Sequence, residues 1–236
     1  MTTKYIDIDQ VGQVAFTVNE RSRRLRLTVK SNGETVVTMP PSVLYRDAIH
    51  FTESKTDWIL KQQSRIRAGL TLFAPESSFK TRFHRLAITK GHTDKVSNRV
   101  GNGVIQILLP EKVNHEQPKV QEFIKKTIID VMRWEAKIYL PKRLKELADK
   151  HGFQYQNVTI KNASTRWGSC SSTNNINLNL HLMRVPEHLI DYVIMHELVH
   201  TVVKNHGEKF WLLLEQVYPN ARKADREMKN YRTQSF

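Results

Sequence analysis

Between residues 4 and 39 apolar and polar positions alternate. Val14, Phe16 and Val18 point one way, then Leu25, Leu27 and Val29, then Val36 and Thr38. A period of two is the pattern of a half-buried strand, so this region predicts a sheet. Ser31-Asn32-Gly33-Glu34 supplies the turn of a hairpin between the last two strands, Asn-Gly being a strong hairpin signal. Pro40-Pro41-Ser42 closes it, with Ser42 as a helix cap, and 43–50 and 52–68 read as one broken or two short helices packed through Trp58, Ile59 and Ile66. The strand pattern returns over 79–89, 95–100 and 104–109, the last two joined across Gly101-Asn102-Gly103.

Beyond Pro110 the period lengthens. Phe123, Ile124, Ile128, Val131, Trp134, Ile138, Leu144, Leu147 and Ala148 fall at helical spacing, which predicts a helix from 114–118 to Lys150. Pro141 should kink or divide it, and His151-Gly152 should stop it. This change sets a domain boundary near 111–117: residues 1–112 form a β-rich region with short helices, and 113–236 a second domain. The fold class is α+β. In the second domain 158–161 reads as a strand. Residues 175–183 alternate, with Ile176, Leu178, Leu180 and Leu182 facing one way and Asn175, Asn177, Asn179 and His181 the other. A helix with Phe210, Trp211, Leu213, Leu214 and Val217 follows over 207–217, and a basic amphipathic helix over 219–231.

The chemistry concentrates in 192–206. Leu189, Ile190, Val193, Ile194, Met195, Leu198, Val199, Val202 and Val203 make this helix apolar almost all round, as in a buried helix. Into it are set His196, Glu197 and His200. Four residues turn a helix by about 400°, so His196 and His200 stand one turn apart on one face, with Glu197 about 100° round. This is the HExxH arrangement: two imidazoles that can hold one Zn²⁺, and a carboxylate that reaches a water beside the ion without being a ligand. A dication would also offset the burial of these polar groups. His206 is the candidate third ligand. In an unbroken helix it would point about 80° away from the other two, so the helix must end first, and Asn205 and Gly207 are residues that turn a chain back.

Composition narrows the setting. The chain has 236 residues, 39% hydrophobic, enough for one large domain or two small ones. Thirty-seven Lys and Arg against 23 Asp and Glu give a net charge of +14, which favours contact with polyanions. Basic residues cluster locally: the outward face of a strand would carry Arg24, Arg26, Thr28 and Lys30, with Arg21 and Arg23 just before it, and a weak nucleic-acid contact is expected there. A single cysteine, Cys170, excludes an internal disulfide and fits a reducing compartment. The longest uncharged apolar run, 104–109, is too short to span a bilayer, so a cytoplasmic protein without a membrane segment is expected.

His196-Glu197-Leu198-Val199-His200, Asn205-His206 and Phe210-Trp211 resemble the YgjP-like metallopeptidase family, related to the SprT-like zinc peptidases. Trp167-Gly168-Ser169-Cys170-Ser171, Ile176-Asn177-Leu178-Asn179 and Ile190-Asp191-Tyr192-Val193 add to the likeness, which covers most of the chain. The longer metzincin motif is matched in its third His, but Val203 stands at its glycine position, so a metzincin turn is not implied. The resemblance implies a zincin-like domain with the HExxH helix buried. It also implies a peptide or protein substrate, and one Zn²⁺ on His196, His200 and His206, with Glu197 as general base. Residues 175–183 resemble the edge strand along which zincins lay an extended substrate. Tyr192, Arg166, His181 and Tyr231 are the candidates to stabilise an oxyanion, by residue type alone. The rival reading is a basic nucleic-acid-binding module with a structural or vestigial metal site. A protease acting on nucleic-acid-associated proteins would combine the two.

Overall fold

The computed structural model describes residues 3–30, 33–69 and 71–233, and their side chains outside 65–69. The chain is an α+β protein that divides into two units, Met1–Thr71 and Leu72–Phe236. The division falls well before the boundary expected at 112/113. The reason is packing: Leu86, Ile88, Ile105, Ile107 and Leu109 share one core with Val120, Ile124 and Ile128 of the long helix, so the strands that resemble the N-terminal region in composition belong to the second unit.

The first unit is a four-stranded sheet with two helices. Strands β1 (Thr3–Ile8), β2 (Gly12–Val18), β3 (Arg26–Val29) and β4 (Thr35–Met39) lie in the order β1-β2-β4-β3. β1 and β3 run antiparallel to their neighbours, and β2 and β4 are parallel. Register sets the core face. Phe16 and Leu27 both sit beside Val37, so β4 buries Thr35, Val37 and Met39, and not the Val36 and Thr38 expected from the alternation. Helices α1 (Tyr45–Glu53) and α2 (Thr56–Gly69) follow, and Ala48 and Ile59 join the same core. Trp58, expected to pack there, is 44% exposed. Ser31, Asn32 and the side chain of Ile66 lie outside the described residues. The β3–β4 hairpin is closed by hydrogen bonds between Lys30 and Glu34 and from the Gly33 amide to the Lys30 carbonyl.

The second unit is built on helix α3 (Pro118–His151), which packs on both of the unit's small sheets. It starts on Pro118, whose missing N–H is harmless in a first turn, and stops at Gly152, whose φ of +73° suits glycine. It passes Pro141 undivided. One sheet holds β5 (Arg85–Gly91), β6 (Ser97–Gly101) and β7 (Val104–Pro110), in the order β5-β7-β6. Fully buried Glu135 ties the approach to this sheet onto α3, accepting from Thr81 Oγ1 at 2.5 Å and lying 2.6 Å from His84 Nδ1.

The other sheet holds β8 (Val158–Lys161), β9 (Gly168–Cys170) and β10 (Ile176–Asn179). Its order is β8-β10-β9, so β10 is central and cannot be the edge strand expected of 175–183; the edges are β8 and β9. The alternation also ends early, because Asn179 accepts a hydrogen bond from the His181 amide and turns Leu180–Arg184 into a short 3₁₀ helix. Leu180, His181, Leu182 and Met183 are all buried there. Helices α4 (Glu187–Val199), α5 (Glu208–Val217) and α6 (Ala221–Met228) complete the unit. No described helix is long and apolar enough to cross a membrane.

Candidate metal centre

His196 lies in the last turn of α4 and His200 is its C-cap. The helix ends there on local hydrogen bonds, the amides of Thr201 and Val203 reaching the carbonyls of Leu198 and Val199. Neither Asn205 nor Gly207 adopts a left-handed conformation. Gly207 instead opens α5, and its amide donates to Asn205 Oδ1 at 3.3 Å. The reversal between α4 and α5 brings His206 back over the helix end. His206 Nε2 lies 2.9 Å from His196 Nε2 and 3.1 Å from His200 Nε2.

Second contacts orient these rings. The Val203 carbonyl lies 2.9 Å from His200 Nδ1 and can only accept, so Nδ1 carries the proton and Nε2 of the neutral ring presents a lone pair to the centre. Tyr192 Oη donates to Asp225 at 3.0 Å and sits 3.5 Å from His196 Nδ1, at the limit of a hydrogen bond. Fully buried Phe210 backs all three rings, with centroids 4.8, 4.5 and 4.8 Å from those of His196, His200 and His206.

Burial sets the protonation of the group. It pushes His196 down to about 3, with the neighbouring His200 and His206 adding to the shift, and it lowers His200 as well. Both rings are therefore neutral at physiological pH, the form in which imidazole binds a metal. Glu197 is 5% exposed, and burial pushes its carboxyl up to about 8 against an opposing pull from Arg166. Three converging nitrogens beside a desolvated carboxyl are a donor set that one cation would complete, and the His196, His200 and His206 nitrogens lie within 4.8 Å of one another.

The group opens into a cleft of about 300 Å³ whose other wall is β9 with Arg166 and Lys204. The approach between wall and helix is close: a Cβ on Gly168 would stand 2.6 Å from Glu197 Oε1. The role of Gly168 was not singled out from the sequence, although a glycine within a strand is a signal of close backbone approach. Lys204 holds the wall in place, donating to the Ser171 carbonyl at 3.0 Å and to Asn174 Oδ1 at 2.5 Å. Asn179, through Nδ2, ties down the Ala163 and Arg166 carbonyls at 2.7 and 2.8 Å.

Of the four oxyanion candidates, Arg166 lines the cleft. Tyr192 is committed to Asp225 behind His196, His181 is buried against Asn162, and Tyr231 packs against the core.

The family model described as YgjP-like, metallopeptidase domain, matches residues 23–231. Among solved structures, the crystal structure of the metallopeptidase zymogen of Pyrococcus abyssi abylysin is similar at 26% identity. The match covers 39% of this chain and 93% of that chain, with a TM-score of 0.35. No curated protein matches.

Proposed function

The chain belongs to the YgjP-like metallopeptidase family, and from that premise we propose that it is a zinc peptidase holding one ion on His196, His200 and His206, with Glu197 as general base. The observation that carries this reading is the convergence of the three imidazole nitrogens, at 2.9 and 3.1 Å, beside a buried carboxyl. Three His ligands suit a catalytic zinc, because structural sites favour four protein ligands and Cys.

When bound, zinc supplies Lewis acidity that polarises a carbonyl and acidifies a water. Glu197 takes a proton from the attacking water and returns it to the amine nitrogen as the C–N bond breaks. Apolar surroundings make its carboxylate a stronger base than one in water. Arg166, on the same cleft, is assigned to the oxygen that gains charge. The substrate is a peptide or an unfolded protein segment, since β9 is an edge strand that lines the cleft and can offer backbone groups to an extended chain whatever its sequence. The lone Cys170 is a free thiol, which suits a reducing compartment such as the cytoplasm.

Two variants test the reading by coming apart. Glu197→Gln should keep its zinc and its fold and lose roughly 10² to 10⁴ in turnover, the usual contribution of a general base. His200→Ala should lose the metal itself. Elemental analysis and peptide hydrolysis measure both, and a Glu197→Gln protein as active as wild type would overturn the assignment.

A further inference from the structure

Residues 21–26 carry four arginines, and the fold gathers all four around one hollow. Arg21, Arg23, Arg24 and Arg26 line a cleft of about 590 Å³ with Asn19 and Thr38, and no acidic side chain lines it. Among the described residues none of the four guanidinium groups makes an ion pair or a side-chain hydrogen bond. Other basic groups of the chain do find acids: Lys30 pairs with Glu34 at 2.8 Å, Arg82 with Glu187 at 2.7 Å and Arg143 with Asp191 at 2.6 Å.

The backbone beneath the arginines is fixed. The Asn19 amide donates to the Met39 carbonyl at 2.9 Å and the Ser22 amide to the Asn19 carbonyl at 2.9 Å. The Arg21 amide donates to Asn19 Oδ1 at 3.0 Å, and Ser22 Oγ to the Arg24 carbonyl at 3.1 Å. From there Leu25, Leu27 and Val29 pack on the core, which turns Arg24 and Arg26 to the opposite face. Arg26 opens β3 and Arg24 lies in the bend two residues before it.

Positive charge on an edge strand also discourages aggregation. That purpose needs charges along the strand; it does not need four guanidinium groups around a concavity with amide and hydroxyl groups beside them. Guanidinium binds phosphate oxygens through paired N–H donors, and the array lacks an anion of its own.

We propose that this hollow binds the phosphodiester backbone of nucleic acid without reading base sequence. A membrane of anionic lipid fits less well, because the arginines line a hollow and no apolar residue is among its lining.

The test uses the full chain and fluorescently labelled oligonucleotides of mixed sequence, single-stranded and duplex, between about 50 and 200 mM salt. Wild type should bind both, with affinity falling steeply as salt rises. Arg23→Gln/Arg24→Gln/Arg26→Gln should bind at least about tenfold more weakly at low salt, with a duplex salt slope shallower by up to about 0.9 for each phosphate no longer neutralised. A second triple variant, Arg85→Gln/Lys95→Gln/Arg99→Gln, removes the same charge elsewhere and should retain most of the affinity. Equal loss in both variants, or no loss in the first at an unchanged melting temperature, would overturn the proposal. So would stronger binding of tripolyphosphate or phosphatidylserine vesicles than of oligonucleotides in the wild type. No hydrolysis is read, so failure here leaves the zinc-peptidase reading standing.

Discussion

In the first unit Arg24, Arg26, Thr28 and Lys30 stand in water while Leu25, Leu27 and Val29 face the core, and none of the arginines between 21 and 26 is paired among the described residues. Around the end of α4 the arrangement is reversed. Glu197 and His196 are drawn into apolar surroundings that displace their protonation, and each ring of the triad rests on Phe210. Exposed charges act through the field they project, which salt screens. Desolvated groups have their chemistry set by packing, so a change in an apolar neighbour should reach them.

The largest effect should come from the apolar floor. Phe210→Ala removes a fully buried ring and should cost about 3–5 kcal/mol of stability, read by denaturant unfolding. Its zinc affinity should fall as well, because Phe210 lies against all three imidazoles. A Phe210→Ala protein with unchanged affinity would show that the triad is positioned without that ring.

Next is the wall. Gly168→Ala forces the Glu197 carboxyl from its place, since the added carbon would meet Oε1 at 2.6 Å. A displacement of this order costs about 10² in turnover, with zinc content unchanged. Combined with Glu197→Gln, Gly168→Ala should add little further loss, because both act on one group.

Smaller again is Tyr192→Phe, which removes the hydroxyl between Asp225 and His196 Nδ1. Loss of such an outer contact weakens metal affinity by roughly 10- to 100-fold. The lower end is expected here because the His196 contact is long, and competition with a calibrated chelator measures it.

Burial pushes His181 down to about 4, with Arg184 adding to the shift, so the unfolded chain binds a proton more readily than the native one. Stability from this group is complete above the ordinary value of 6.5 and declines as pH falls toward 4. His181→Gln should flatten unfolding free energy across that window. At the other extreme, the triple arginine variant at 23, 24 and 26 should shift stability by no more than about 0.5 kcal/mol, as exposed unpaired groups do.

What could be read from the sequence follows the same division. The outward face of β3 was legible because strand alternation is local, and the chain obeys it from Leu25 to Lys30. The gathering of His196, His200 and His206 was legible from helical geometry and a required reversal. The means of reversal was not: hydrogen bonds of 201–203 end the helix, not the residues that looked suited to it. Alternation over 175–183 misled because a single side chain, Asn179, outweighed the pattern. The boundary at 112 misled because composition records local preference, whereas Leu86 and Ile107 pack with α3 across the chain. Gly168 against Glu197 is a contact of that long-range kind.

The central claim is that one zinc ion sits among His196, His200 and His206. A crystal of the purified protein, with diffraction collected on either side of the zinc absorption edge, tests it directly. The account predicts a single anomalous peak about 2.0–2.1 Å from each of the three Nε2 atoms and present only above the edge. A peak elsewhere, or none in protein that contains zinc by elemental analysis, would contradict it.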